Sequence, residues 1–275
     1  MPGPPAIVGV FDRAAATYDA VGVPFFGPVA EGLVAELAPG PGERVLDLGC
    51  GRGAVLAAAA RLVGPSGRAV GVDLAPEMVR RTALDLEALA QVSVLVDDAS
   101  APSWPAASFD VVASSLVLPF LPEPSTALGR WTDLLVPGGR LGVTTFGEEA
   151  AAWAVLDACF VPFLPPEVRE EPRPASPPDP EPWDSDDGME ALLADAGLTD
   201  VRTVRRTVTL RFADADQLVA FTWSHAQRAR WEAVAPQDRA EVDAAVRVAA
   251  SDLGLSGDGL VIHQPVRTTL GRRPV

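Results

Sequence analysis

The chain has no lysine and no asparagine, a single tyrosine, two histidines and two cysteines, and isoleucine only at positions 7 and 262. With 22 arginines set against 37 acids, the formal net charge is −15. Nucleic acids and anionic membranes are bound by neutralising their phosphates with Lys and Arg, so neither is expected as a partner. Cys50 and Cys159 provide neither the number nor the spacing of a disulfide framework or a metal site, and no metal is expected. No uninterrupted apolar run is long enough to span a bilayer, and residues 1–20 lack a basic segment followed by an apolar one. A soluble protein of the reducing cytoplasm is therefore expected. The shortage of Ile, Lys and Asn beside abundant Ala, Pro, Gly and Arg is a mark of GC-rich coding rather than of chemistry.

Against these absences stands residues 44–55, Arg-Val-Leu-Asp-Leu-Gly-Cys-Gly-Arg-Gly-Ala-Val. A short apolar run with an acid inside it passes into Gly49, Gly51 and Gly53 and then into an Ala/Leu-rich helical segment. That is a strand, a glycine turn and a helix. Such glycines allow positive φ and a close approach of backbone to ligand, and the helix start offers unpaired N–H groups to an anion. Gly49, Gly51 and Ala54 also satisfy a dinucleotide-binding pattern. Asp47 separates the two readings: a carboxylate two residues before the first glycine repels a pyrophosphate but suits a ligand that carries an ammonium group.

S-adenosylmethionine is such a ligand. Together with Asp73 at the end of the next apolar run, the stretch resembles the cofactor motif of class I S-adenosylmethionine-dependent methyltransferases, apolar-apolar-Asp-x-Gly-x-Gly-x-Gly, without departure. On this resemblance Asp47, Gly49, Cys50 and Gly51 hold the amino-acid end of the cofactor. Asp73, an acid about 20 residues past the glycines, holds the ribose diol. Leu74 and Met78 flank the adenine, although helical spacing fits Met78 to the core as well. Asp98 accepts from the adenine amino group beside Ala99. The family usually has glycine where Asp97 stands, which leaves open which of the two acids faces the adenine. Ser-Phe-Asp at 108–110 opens the fourth strand as it does across the family, and Ser114 is expected beside the sulfonium.

Strands at 44–48, 69–73, 92–96, 108–115 and 141–145 alternate with helices at 53–63, 76–89 and 127–135, the pattern of a doubly wound parallel α/β sheet. The resemblance makes it Rossmann-like, with the last two strands (201–212 and 260–270) as an antiparallel edge hairpin. The helices read between them, 214–233 and 237–252, form a cap over the active site. One domain over 1–275 is expected: an N-terminal helical cap (1–40), a cofactor-binding core (41–147), a Pro-rich lid region (148–200) and the edge strands with their cap helices (201–275). Residues 161–187 read as a long extended loop.

An N-terminal Phe11-Asp12…Tyr18-Asp19 element narrows the resemblance to the ubiquinone/menaquinone C-methyltransferase group and its natural-product relatives. Phe11 and Tyr18 fall on one face of a short helix at 11–19. Tyr18 then either caps the core or touches cofactor or acceptor. His225 is the candidate base, because it sits in the expected cap, whereas His263 lies in the last strand and reads as structural. The expected reaction is methylation of a small phenolic or indole-like molecule, with carbon preferred and Tyr18 and His225 meeting at the acceptor's N–H or O–H. O- or N-methylation, a nicotinamide-dependent oxidoreductase and a non-catalytic cofactor-binding protein are the rivals. The Asn/Asp-Pro-Pro-Tyr/Phe run of base N-methylation and the Pro-Cys pair of cytosine chemistry are both missing, and metal-assisted catechol chemistry lacks its lysine.

Overall fold

The computed structural model describes residues 4–148, 150–169, 181–255 and 259–275. Its strands are β1 (Arg44–Leu48), β2 (Arg68–Asp73), β3 (Val92–Val96), β4 (Phe109–Ser115), β5 (Leu135–Phe146), β6 (Thr199–Phe212) and β7 (Leu260–Arg272). Its helices are α1 (Pro4–Ala14), α2 (Phe26–Leu37), α3 (Ala54–Val63), α4 (Pro76–Asp85), α5 (Pro124–Leu134), α6 (Ala151–Ala158), α7 (Pro166–Arg169), α8 (Asp186–Asp195), α9 (Ala215–Trp223), α10 (Arg228–Ala233) and α11 (Arg239–Ala250). No described helix is long and apolar enough to cross a membrane.

The strands form one sheet in the order β3-β2-β1-β4-β5-β7-β6. The first five run parallel, and β7 enters antiparallel between β5 and β6. Short runs such as Val45-Leu46 are buried on both faces, as a parallel sheet covered by helices requires. On one face α2 and α3 bring Leu33, Val34, Leu37, Val55 and Ala59 against Val45, Val111 and Ala113. On the other, α5 and α8 bring Leu128, Trp131, Met189 and Leu193 against Leu46, Val70, Val112 and Val143. The chain reverses between β1 and β4, so the carboxyl ends of these strands open a crevice there.

β5 pairs with β7 only from Phe146↔Val266 to Arg140↔Arg272, whereas β6 follows β7 out to Phe212↔Leu260. Residues 207–212 and 260–265 therefore project beyond the sheet as a two-stranded arm. The arm carries its own apolar cluster, in which Leu210, Phe212 and Ile262 meet Leu156, Phe160, Phe221, Trp231 and Val246 of the cap helices. The cap differs from its sequence reading in two places. α6 was not anticipated; its first residue follows Ala150, which offers no side-chain cap. The single helix expected over 214–233 is broken at residues 224–227. There Ser224 Oγ (2.7 Å) and His225 Nδ1 (2.7 Å) both reach the Phe221 carbonyl, competing with the helical ladder.

The N-terminal helix also ends earlier than expected, at Ala14, and Tyr18 lies in the turn beyond it, its ring still 6.2 Å from that of Phe11. The expected loop at 161–187 contains short helical turns at Val161–Phe163, Pro166–Arg169 and Pro182–Asp184. Its centre, residues 170–180, lies outside the described residues.

Candidate active site

β1 delivers the glycine turn into the crevice. Gly49 sits at φ +73°, and a Cβ there would lie 2.4 Å from Val117 Cγ2, so both conformation and space demand glycine. The amides of Gly49 (2.8 Å) and Cys50 (2.9 Å) donate to the Val72 carbonyl, and the Gly51 amide donates to Asp73 Oδ2 at 2.8 Å. Asp73 Oδ1 accepts from the Ala75 amide at 2.9 Å. Asp73 is thus part of what holds the turn, and its carboxylate keeps further lone pairs for a diol. Burial pushes it above the usual carboxylate range, against the pull of the Ala75 and Gly51 amides.

A cavity of about 340 Å³ opens on this turn, lined by Asp47, Gly49, Cys50, Gly51 and Ser115 together with Tyr18, Asp19 and Phe26. Asp47 is 1% exposed, and among the described residues neither of its carboxylate oxygens has a hydrogen-bond partner. Burial, helped by the charge of Asp73, raises it to about 8. A buried carboxylate without a partner is costly, and a cationic ligand group would relieve that cost. The donor set therefore fits a ligand that places an ammonium beside Asp47. The Cys50 thiol is pushed well up, by burial first and then by the charges of Asp47 and Asp73, which makes it an inert lining group.

Beyond Asp73, Leu74 is 42% exposed while Met78 is buried against Ala15, Ala75, Phe11 and Tyr18, so α1 covers the end of the site assigned to adenosine. Asp12 fixes that cover by accepting from the Glu77 amide at 2.7 Å. Asp97 is occupied by the Asp98 amide and by both Ser103 donors, closing its own turn. Among the described residues the Asp98 carboxylate accepts only from Ser100 N, which favours Asp98 as the acid left for a ligand. Ala99 is buried, and its carbonyl accepts from Trp131 Nε1. Ser114 is corrected: its hydroxyl donates to Leu48 O at 2.9 Å and straps β4 to β1, while the next residue, Ser115, lines the cavity. Successive strand residues face opposite ways, so an error of one residue reverses the side.

A second cavity of about 760 Å³ lies beneath the cap. Its walls are Phe25, Phe146, Trp153, Leu164, Leu210 and Phe221; its polar groups are His225, Gln227, Arg230, Asp157 and Gln264. His225 Nδ1 donates to the Phe221 carbonyl, so Nε2 is the ring acceptor. Burial lowers this histidine to about 4, which keeps it neutral at pH 7. Tyr18 and His225 do not meet. Tyr18 stacks on Phe26 at 4.2 Å, and Phe26 stands edge-on to His225 at 6.3 Å, between them. Burial, with Asp19 and Asp73 nearby, drives the Tyr18 phenol well up, leaving it a hydrogen-bond donor. Phe25 lines the larger cavity and Phe26 the smaller, so this adjacent pair, 5.0 Å apart, forms the partition. Trp153, Asp157, Gln227, Arg230 and Gln264 are not legible in the sequence, since no motif or period marks them.

The methyltransferase-domain family model matches residues 45–139, the stretch from β1 into β5. Nocamycin O-methyltransferase of Saccharothrix syringae is 39% identical over 272 residues, covering 96% of this chain and 97% of its own. Aklanonic acid methyltransferase DauC of a Streptomyces species is 42% identical over 162 residues, 58% of this chain and 73% of its own. Among solved structures, YcgJ of Bacillus subtilis shares the fold with a TM-score of 0.59 at 16% identity, over 90% of this chain and 98% of its own. Haemonchus contortus phosphoethanolamine N-methyltransferase 2, solved with S-adenosyl-L-methionine, does so with 0.56 at 18% identity, over 96% of this chain and 57% of its own. With a full-length relative, the glycine turn and a seven-stranded sheet that carries an antiparallel β7, the chain belongs to the class I S-adenosylmethionine-dependent methyltransferases.

Proposed function

We propose that this enzyme methylates an acidic oxygen of a small natural product seated in the larger cavity. Bound S-adenosylmethionine supplies a methyl group made electrophilic by its sulfonium. Asp47 takes the ammonium of the cofactor; the backbone of Gly49, Cys50 and Gly51 shapes its amino-acid end. Asp73 takes the ribose and Asp98 the adenine edge, with Leu74, Met78 and Ala99 framing the base. The aromatic and aliphatic walls, including Leu164 in the expected lid region, exclude water from the acceptor.

His225 carries the choice of oxygen. Among the described residues nothing donates to its Nε2, and the residue lines the acceptor cavity, yet an imidazole lowered to about 4 is a weak base. Methylation at an aromatic carbon asks the base to draw charge into the ring. A phenol, enol or carboxyl oxygen gives up its proton readily and needs only a neutral neighbour to guide or receive it. The name of the full-length relative, an O-methyltransferase, supports the same choice, and the carbon preference is set aside on these two grounds. Tyr18, on the cofactor side of the partition, orients the cofactor rather than the acceptor.

The test is incubation of the enzyme and methyl-labelled cofactor with metabolite extract of the source organism. Mass spectrometry finds the labelled product and NMR places its methyl group. A methoxy or methyl-ester signal is expected. A carbon-bound methyl would overturn the choice of atom, and no labelled product at all would favour a silent cofactor-binding protein.

A further inference from the structure

We propose that Arg230 binds a second, non-reacting anionic oxygen group of the acceptor and so decides which molecules are methylated. This rests on the larger cavity being the acceptor site. Arg230 Nη2 lies 2.8 Å from Asp157 Oδ2, and both side chains line that cavity. Gln227 Nε2 donates to Asp157 Oδ1 at 3.0 Å. A carboxylate only accepts, so this contact fixes the amide the right way round and pins Asp157. The acid in turn holds one edge of the guanidinium in place.

An arginine has five N–H donors in a rigid fork, and one carboxylate oxygen at this distance leaves donors over. Among the described residues that line the cavity Arg230 is the only cation, since His225 stays neutral. The chain carries a formal net charge of −15, so an anionic acceptor needs a local cation to be held at all. In the same lining, Phe25 and Phe146 stand nearly parallel at 6.0 Å, and so do Trp153 and Phe221. The lining thus offers aromatic side chains together with a guanidinium held by Asp157. An apolar ring system with an anionic oxygen on its rim matches both.

Two fluorescent probes with the same rings test this: anilinonaphthalene sulfonate, which is anionic, and phenylnaphthylamine, which is neutral. Wild type should bind the sulfonate more tightly than the neutral probe. Arg230→Met should weaken the sulfonate about tenfold while changing the neutral probe less than about twofold. Arg230→Lys should keep part of the preference, and Asp157→Asn, which frees the guanidinium, should tighten the sulfonate. A wild type that takes neither probe, or both equally, overturns the assignment, as does an Arg230→Met that weakens both alike. Leu164→Trp, which fills the cavity, locates the probes. If it blocks both while Arg230→Met fails to separate them, only the role of Arg230 falls. If it blocks neither, the cavity does not receive small aromatics, and the acceptor-site reading falls with it.

Discussion

Asp47 and His225 are both buried, titratable and held away from their ordinary ranges, in opposite senses for stability. For Asp47 the folded value is about 8 against an ordinary 3.8. The folded chain keeps a proton that the unfolded chain gives up, so the stability of the cofactor-free protein falls as pH rises between these values, by about 6 kcal/mol at most. Asp47→Asn should remove that fall, seen as a higher melting temperature than wild type at pH 8 and little difference at pH 4. The same proton must leave when an ammonium arrives. Calorimetry of cofactor binding at pH 7, repeated in buffers of different ionisation heat, should report release of about one proton in wild type and none in Asp47→Asn. For His225 the folded value is about 4 against 6.5. Its contribution is complete above pH ~6.5 and is lost as pH falls towards 4, costing up to about 3 kcal/mol. His225→Gln should flatten this acid limb. If Nε2 handles the acceptor's proton, the same variant should lower kcat by ~10–10³ with cofactor affinity unchanged.

At the scale of elements, the glycine turn and the cap answer to different physics. Gly49→Ala must strain its backbone and displace Val117. It should cost about 1–3 kcal/mol and weaken cofactor binding more than tenfold, measured by denaturation and calorimetry on the same sample. Trp231 is buried in the cap, stacks on Trp223 at 5.1 Å and donates to Thr222 Oγ1 at 3.0 Å. Trp231→Ala should cost about 3–5 kcal/mol locally, so hydrogen exchange should rise across α9 to α11 while β1 to β4 stay protected. These two elements also differed in how plainly they could be read. The turn was legible because Gly49, Gly51, Gly53, Asp47 and Asp73 carry chemistry that only a strand-turn-helix can arrange. The cap was not, because its partners meet across the chain: Phe160 packs on Trp231 at 4.8 Å, and Asp157 on α6 reaches Arg230 on α10. The break at Ser224 and His225 carries no glycine or proline, only two side chains that outcompete one backbone bond.

At the scale of the molecule, the alternation of strands and helices up to Thr145 was readable, as was the final hairpin. Its projection past β5, which creates the acceptor cavity, depends on register, and register is set by contacts rather than by any local signal. That hairpin also bears on how the chain is made. Among the described residues β6 bonds only to β7, which follows every other strand of the sheet in chain order. Until it emerges, the finished half of the sheet exposes β5 as an open edge, and the fourteen residues of β6 have no strand to pair with. Synthesis therefore passes through a stage with a formed glycine turn, a raw edge and an unassembled cap. A nascent chain stalled before Leu260 should be captured by S-adenosylmethionine resin yet need chaperones to stay in solution, and release of β7 should end that dependence within one folding event.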